Sequence, residues 1–345
     1  MNVRRKKVFV GLSGGVDSSV TAKLLIDAGA HVHGVFIQGW YPPGIECTWK
    51  EDRTDAMRVA AHLGIPFTTF DASKEYKASV IDYLISEYKA GRTPNPDIMC
   101  NRDVKFGAFY RFAMEHGADY VATGHYAQIH SGSLARGVDE DKDQSYFLWA
   151  VPKAELANVL FPLGGMKKSD VRKKALEYDL PTARKRDSQG ICFLGNISMD
   201  TFLSSQLEVT PGRALTLDNV DIGTHQGALL YTLGERVSVA GSEPGPWFVL
   251  SKDVMKNEIY VSHEAKISSH RDTTKLSSVQ YHEGVSPDEE LEAQYRYHGP
   301  RLKVRLDQHS NTLTWVTPLT EALATGQSAV IYRDDAVVSG GIIEA

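Results

Sequence analysis

Apolar positions in the first half of the chain recur with two different periods. The run Val8-Phe9-Val10 is continuous, β-branched and aromatic, and predicts a buried strand. Over 17–28 the apolar residues Val20, Leu24, Leu25 and Ala28 fall at helical spacing, and Gly29 stands where a helix C-cap belongs. The same reading predicts strands over 32–37, 66–70 and 120–123, and helices over 51–63, 73–89 and 104–116. Gly64 closes the second helix, and Ser73 is read as the N-cap of the third. Strand–helix alternation with short links predicts an α/β fold, a doubly wound parallel sheet covered on both faces. Ligands of such a sheet bind at the carboxyl ends of its strands, where the Ser13-Gly14-Gly15 turn and the Ala122–Tyr126 turn fall.

From Thr210 onward the pattern shortens. Turn signals come close together, at Pro211-Gly212, Asp218-Asn219, Gly223, Gly227, Gly234, Gly241 and Pro244-Gly245-Pro246. Between them lie candidate strands over 247–250 and 258–261, then over 302–306, 312–316, 328–332 and 336–338. The chain is therefore divided into a catalytic domain over 1–205, a small β-rich middle domain over 206–272 and a C-terminal β-barrel over 273–345. No internal repeat or low-complexity segment interrupts it.

Composition adds exclusions. With 42% hydrophobic and 23% charged residues, the 345-residue chain reads as soluble and globular. No apolar run approaches the roughly 18 residues of a membrane span, and the basic start MNVRRKKVFVGL lacks the features of a signal peptide. A cytoplasmic location without membrane association is the expectation. Cys47, Cys100 and Cys192 form no C-x-x-C pair, which argues against a disulfide scaffold or a zinc site. A net charge of −5 argues against wholesale coating of nucleic acid but not against a local basic face. Residues 167–186 carry eight basic side chains against three acidic ones, a run that also suits a solvated helix face.

The chemistry starts at residues 11–18, GLSGGVDS. A glycine-rich turn between strand and helix exposes backbone N–H groups at the positive helix end, which together bind phosphate. No Lys follows the glycines, so a Walker loop is excluded, and the glycine spacing does not fit G-x-G-x-x-G. The turn resembles the pyrophosphate loop of ATP pyrophosphatases, which holds ATP while a substrate oxygen attacks the α-phosphate. Two further segments stand out, AGRTPNPDIMCN at 90–101 and DSQGICF at 187–193. Two prolines in three residues predict a stiff, non-helical loop presenting Asn95, Asp97 and Cys100 before a helix near Lys105. Cys192 follows the basic stretch Arg184-Lys185-Arg186, and nearby positive charge favours the reactive thiolate. Each cysteine alone is more often a buried small hydrophobe, but two in polar loops beside an adenylating turn suggest chemistry.

Those segments, with ATGHYA, KDQSYFLW, IGTHQGALLYTLGER, the Arg296-Tyr297 pair and GQSAVIY followed by GGIIE, resemble the bacterial tRNA-uridine 2-sulfurtransferases, or 2-thiouridylases, over nearly the whole chain. One departure is Thr325, where the family's pattern suggests Pro. The resemblance implies ATP-dependent 2-thiolation of a tRNA wobble uridine, flipped from its stack because its carbonyl is otherwise out of reach. ATP, with Mg²⁺, would sit on Gly11, Leu12, Ser13, Gly14, Gly15, Val16, Asp17 and Ser18, with Ile37 and Gly124 near the adenosine. Asn95, Pro96 and Asp97 would contact the base, with Asp97 as candidate acid/base group. Cys192 would carry a persulfide and Cys100 would be its partner thiol, either resolving the link as a Cys100–Cys192 disulfide or releasing hydrosulfide. Further tRNA contacts implied are His125, Lys142, Asp143, Gln144, Arg296, Tyr297 and Gln327, although Arg296 and Tyr297 also suit a plain strand surface. Lys and Arg suit phosphates, Tyr and His stacking, Gln base edges. The implied partners are the Lys, Glu and Gln tRNAs and a cysteine desulfurase or sulfur-relay carrier. Cys47 is unassigned, no protein-only metal site is visible, and a monomer is the default. The competing readings are a ligase adenylating a small molecule and a non-catalytic RNA-binding protein.

Overall fold

The structure is a computed structural model that describes residues 2–42, 49–130, 132–187, 198–241, 243–264 and 272–344. Strand β1 (Lys7–Gly11) is apolar on both faces and lies in the middle of the first sheet. Its neighbours in the chain are β2 (His31–Gln38), β3 (Phe67–Asp71) and β4 (Tyr120–Ala122), then the hairpin β5 (Ala127–His130) and β6 (Ser133–Arg136), then β7 (Val159–Leu160). All pairings in the sheet β3-β2-β1-β4-β7 are parallel. Alternate side chains of β1 enter different cores. Val8 and Val10 pack with α1 (Val16–Asp27) and α2 (Trp49–Leu63), whereas Phe9 packs with α3 over 73–89 and α4 over 96–115. The doubly wound parallel sheet is therefore present, and its strand order reverses between β1 and β4.

Two boundaries differ from the sequence reading. Ser73 is the first helical residue of α3 rather than its cap, and its N–H donates to the Asp71 carboxylate at 2.9 Å. The second difference matters for function. The prolines do not keep the segment out of a helix, because Pro96 opens α4, whose first turn is Pro96–Met99. Proline is favoured at the first helical position, where the missing N–H would be unpaired anyway and φ is already helical. Asp97 and Cys100 thus ride on a helix, and the stretch Cys100–Ala108 is π-wound.

Two longer helices follow, α5 (Lys168–Glu177) and α6 (Met199–Gln206), besides short helical turns at Ser145–Phe147, Lys153–Leu156 and Ala228–Leu230. A mixed sheet follows, from β8 (Gly212–Thr216), β9 (Asp221–His225), β10 (Arg236–Val237), β11 (Trp247–Asp253) and β12 (Glu258–Ser262), in the order β10-β11-β12-β8-β9. The last six strands are β13 (Thr273–Tyr281), β14 (Leu291–Gln294), β15 (Arg301–Asp307), β16 (Thr312–Trp315), β17 (Ser328–Arg333) and β18 (Ala336–Ile343). They run in the order β13-β16-β15-β14-β17-β18, and β18 pairs back onto β13, which closes the barrel. The barrel is built into the rest of the protein. Ala336 of β18 pairs with Ala135 of β6, and Val330, Tyr332 and Val337 share a core with Tyr146, Trp149 and α4. No helix among the described residues is long and apolar enough to cross a membrane.

Candidate active site

A cavity of about 560 Å³ opens at the carboxyl ends of β1 and β4, at the reversal of strand order. Its floor is the 11–18 turn. Gly14 adopts φ +74°, and a Cβ there would lie 2.3 Å from the Asp52 carbonyl oxygen, so this close approach requires glycine. Gly15 is the N-cap of α1 and has no side chain with which to cap it. The first N–H groups of a helix need partners from outside it, and the helix end favours an anion. The hydroxyls of Ser13 and Ser18 lie 3.3 Å apart beside them. Gly124 lets β4 approach this turn, since a Cβ would come within 2.9 Å of the Ser18 backbone nitrogen.

Charge converges on the same wall. Lys168, at the start of α5, donates to both oxygens of Asp17 at 2.8 Å and pairs with Asp187 at 2.9 Å. Tyr126 donates to Asp17 at 2.8 Å, and burial and that carboxylate push its phenol pKa far up. Arg172 and Lys142 also pair with Asp187. Burial opposes ionisation of Asp187, but the hydrogen bond from Lys168 and the surrounding cations outweigh it and hold the carboxyl below its ordinary range. Lys185 spans Asp52 and Asp55 on α2 at 2.8 Å each. Across the cavity, His125 is buried, with Nδ1 2.7 Å from the Thr123 hydroxyl and Nε2 3.5 Å from Lys105 Nζ. Burial, then the Lys105 charge, push its pKa well down, so the imidazole is neutral.

Gly11, Leu12, Ser13, Gly15, Val16, Asp17, Ser18, Ile37 and Gly124 all line this cavity, with Gly14 packed behind them. His125, Lys142, Gln144 and Tyr297 line it too. Tyr297 packs tilted against Phe147 with ring centroids 4.3 Å apart, and burial, with the charges of Asp143 and Asp97, raises its pKa to about 12. Asn95, Pro96, Asp97 and Cys100 stand outside these walls among the described residues. The helix that carries Pro96, Asp97 and Cys100 contributes Lys105 to the wall, five residues beyond the buried Cys100 in the π-wound stretch. Three side chains face elsewhere. Asp143 is buried and accepts from Arg136, from the Gly137 and Ser145 N–H groups and from the Ser145 hydroxyl. Arg296 pairs with Glu321 at 2.8 Å. Gln327 donates to the backbone at Thr93 and Pro94. Cys47 and Cys192 lie outside the described residues. Sequence reasoning missed Lys168 and Tyr126 as site residues. Lys168 was visible only as part of a basic run, and nothing local marks it as the member that turns inward.

Family models for a tRNA methyl transferase HUP domain, a tRNA methyl transferase PRC-barrel domain and an aminomethyltransferase beta-barrel domain match residues 6–196, 200–263 and 271–343. The tRNA-specific 2-thiouridylase MnmA of Streptococcus agalactiae is 42% identical over 98% of this chain and 95% of its own length. That of Staphylococcus aureus is also 42% identical, with the same coverage. The chain belongs to the MnmA family. The likeness spans all three parts of the fold, so the resemblance in the motifs reflects a shared whole-chain architecture. A solved 4-thiouridine synthetase with RNA and ATP is similar over 56% of this chain and 46% of its own, at 21% identity and a TM-score of 0.38, too distant to bear on the site.

Proposed function

We propose that this protein replaces the carbon-2 oxygen of a tRNA wobble uridine with sulfur at the expense of ATP. One observation carries the reading most. The uncapped N-terminus of α1, with its Ser13 and Ser18 hydroxyls, opens into the same cavity that the Cys100-bearing helix enters through Lys105. ATP supplies the AMP that makes the uridine oxygen a leaving group. The turn residues 13–18 hold the pyrophosphate part, and Ile37 and Gly124 flank the adenosine. Lys168 is added as a cation for the phosphates, since it lines the cavity and is held there by Asp17. Among the described residues no group of three or more His, Cys, Asp or Glu could hold a metal alone. Mg²⁺ would arrive on the phosphates, with Asp17 as the turn's own carboxylate.

Neutral His125 and half-buried Tyr297 offer ring faces to the flipped base, and Asn95, Pro96 and Asp97 its edge contacts. Sulfur comes from a Cys192 persulfide whose terminal sulfur bonds to carbon 2 as AMP leaves with the oxygen. Cys100 thiolate then attacks Cys192 Sγ, forming the Cys100–Cys192 disulfide and leaving the thiocarbonyl on the uridine; an external thiol reduces the disulfide. Release of hydrosulfide by Cys100 is the alternative branch. The sulfur would come from a desulfurase or carrier, and the acceptors would be the Lys, Glu and Gln tRNAs. Transfer of a methyl group, which the family-model descriptions mention, needs neither ATP cleavage nor a cysteine.

The test is release of pyrophosphate from ATP with and without tRNA. Release that requires tRNA is expected. Release driven by a small-molecule acceptor instead would make this a ligase, and none under any condition would leave only an RNA-binding protein.

A further inference from the structure

The loop leading into α4 is held from outside its own domain. Thr93 is 7% exposed, and three of its polar groups are engaged by the two C-terminal units. Its N–H donates to the Thr325 carbonyl at 2.8 Å, and its carbonyl accepts from Gln327 Nε2 at 3.1 Å. Its hydroxyl donates to Thr232 of the middle unit at 3.3 Å. Gln327 Nε2 also reaches the Pro94 carbonyl at 3.5 Å. The approach is close enough to require glycine at Gly326. Its φ is +90°, and a Cβ would lie 3.0 Å from the Thr93 carbonyl oxygen.

We propose that Gln327 is a positioning residue for the chemistry at Asp97 and Cys100, acting through the Thr93-Pro94 backbone rather than by reading a base. The inference rests on the thiolation reading above. Pro94 and Pro96 fix their own φ angles and restrict the residues before them. A shift at Thr93 is therefore passed on to Asp97 instead of being absorbed along the way. Downstream, the Asn101 amide is anchored on the Phe147 carbonyl at 3.0 Å, so the segment with Asp97 and Cys100 is held at both ends. The donors that Gln327 would need for a base edge are directed at Thr93 and Pro94. The barrel thereby sets the position of the reacting helix in the neighbouring domain.

The experiment is steady-state thiolation of tRNA at saturating ATP, with a persulfide donor as sulfur source and an excess of external thiol as reductant, for wild type, Gln327→Ala and Gln327→Met. The Met variant keeps the length of the side chain and removes its donors, so it remains informative if the Ala variant folds poorly. Loss of this anchoring is expected to lower kcat about tenfold in both variants, with KM for tRNA within about twofold of wild type. Thr232→Ala should lower kcat in the same sense and Thr232→Ser restore it. A raised KM with kcat preserved would overturn the proposal and make Gln327 a tRNA contact. A lowered melting temperature with both constants unchanged would also overturn it, as a structural role only. Absence of thiolation by the wild-type protein would instead overturn the functional reading, and this proposal with it.

Discussion

Lys168 has an ammonium group answering to two carboxylates, and its side chain is only 13% exposed. Phosphates arriving on the 11–18 turn would compete with Asp17 and Asp187 for that charge, and charge-assisted bonds to phosphate are among the stronger ones available. Lys168→Met is expected to raise KM for ATP by about 10- to 100-fold while leaving tRNA affinity unchanged. An unchanged ATP titration would remove Lys168 from the site. His125 makes a different statement. Its folded-state pKa lies well below the ordinary histidine value because of burial and Lys105, so the unfolded chain takes up the proton first. The stability it contributes is fully present above the unfolded-state pKa of about 6.5 and is lost as pH falls below that value. Denaturation midpoints between pH 7 and pH 5 should therefore fall less steeply for His125→Asn than for wild type. Parallel curves would contradict this.

At the scale of elements, α4 and β18 explain what could be read in advance and what could not. Continuous apolar runs placed β1 to β4, and helical spacing the first three helices, closely, because these local patterns match the burial of each element. The start of α4 was misplaced because proline at a first helical position looks, in sequence, like proline in a loop. Strand β18 was anticipated as ending before Gly340-Gly341, yet it continues to Ile343. The reason is tertiary: a Cβ at Gly340 would lie 2.6 Å from the Trp149 ring, so the glycine makes room for an indole from another domain. Gly340→Ala is expected to cost about 1–3 kcal/mol through overpacking, measured as a lowered denaturant midpoint. Wild-type stability would contradict the packing. That residues 11–18 turn from strand into helix was legible because a short motif carries its own backbone geometry. The inward turn of Lys168 and the engagement of Gln327 with Thr93 were not, since both depend on contacts across well over a hundred positions of sequence.

In the whole molecule, the three units share side chains rather than merely touching. Val330, Tyr332 and Val337 of the barrel, and Leu230 beside the middle sheet, belong to the same core as Tyr146, Trp149 and α4. One cooperative thermal transition is therefore expected, with calorimetric and van't Hoff enthalpies in agreement. Separate transitions would contradict a shared core. That integration suits an enzyme whose substrate is a folded RNA, because surfaces on the barrel and middle unit can then be held in register with the cavity of the first domain. The measurement that bears most directly on this assignment is mass spectrometry of nucleosides from tRNA incubated with the protein, ATP, Mg²⁺ and a persulfide donor. A sulfur-for-oxygen mass gain on uridine, lost in Cys192→Ser, is the expected result. ATP cleavage without any such gain, or a gain that persists in Cys192→Ser, would contradict thiolation through a Cys192 persulfide.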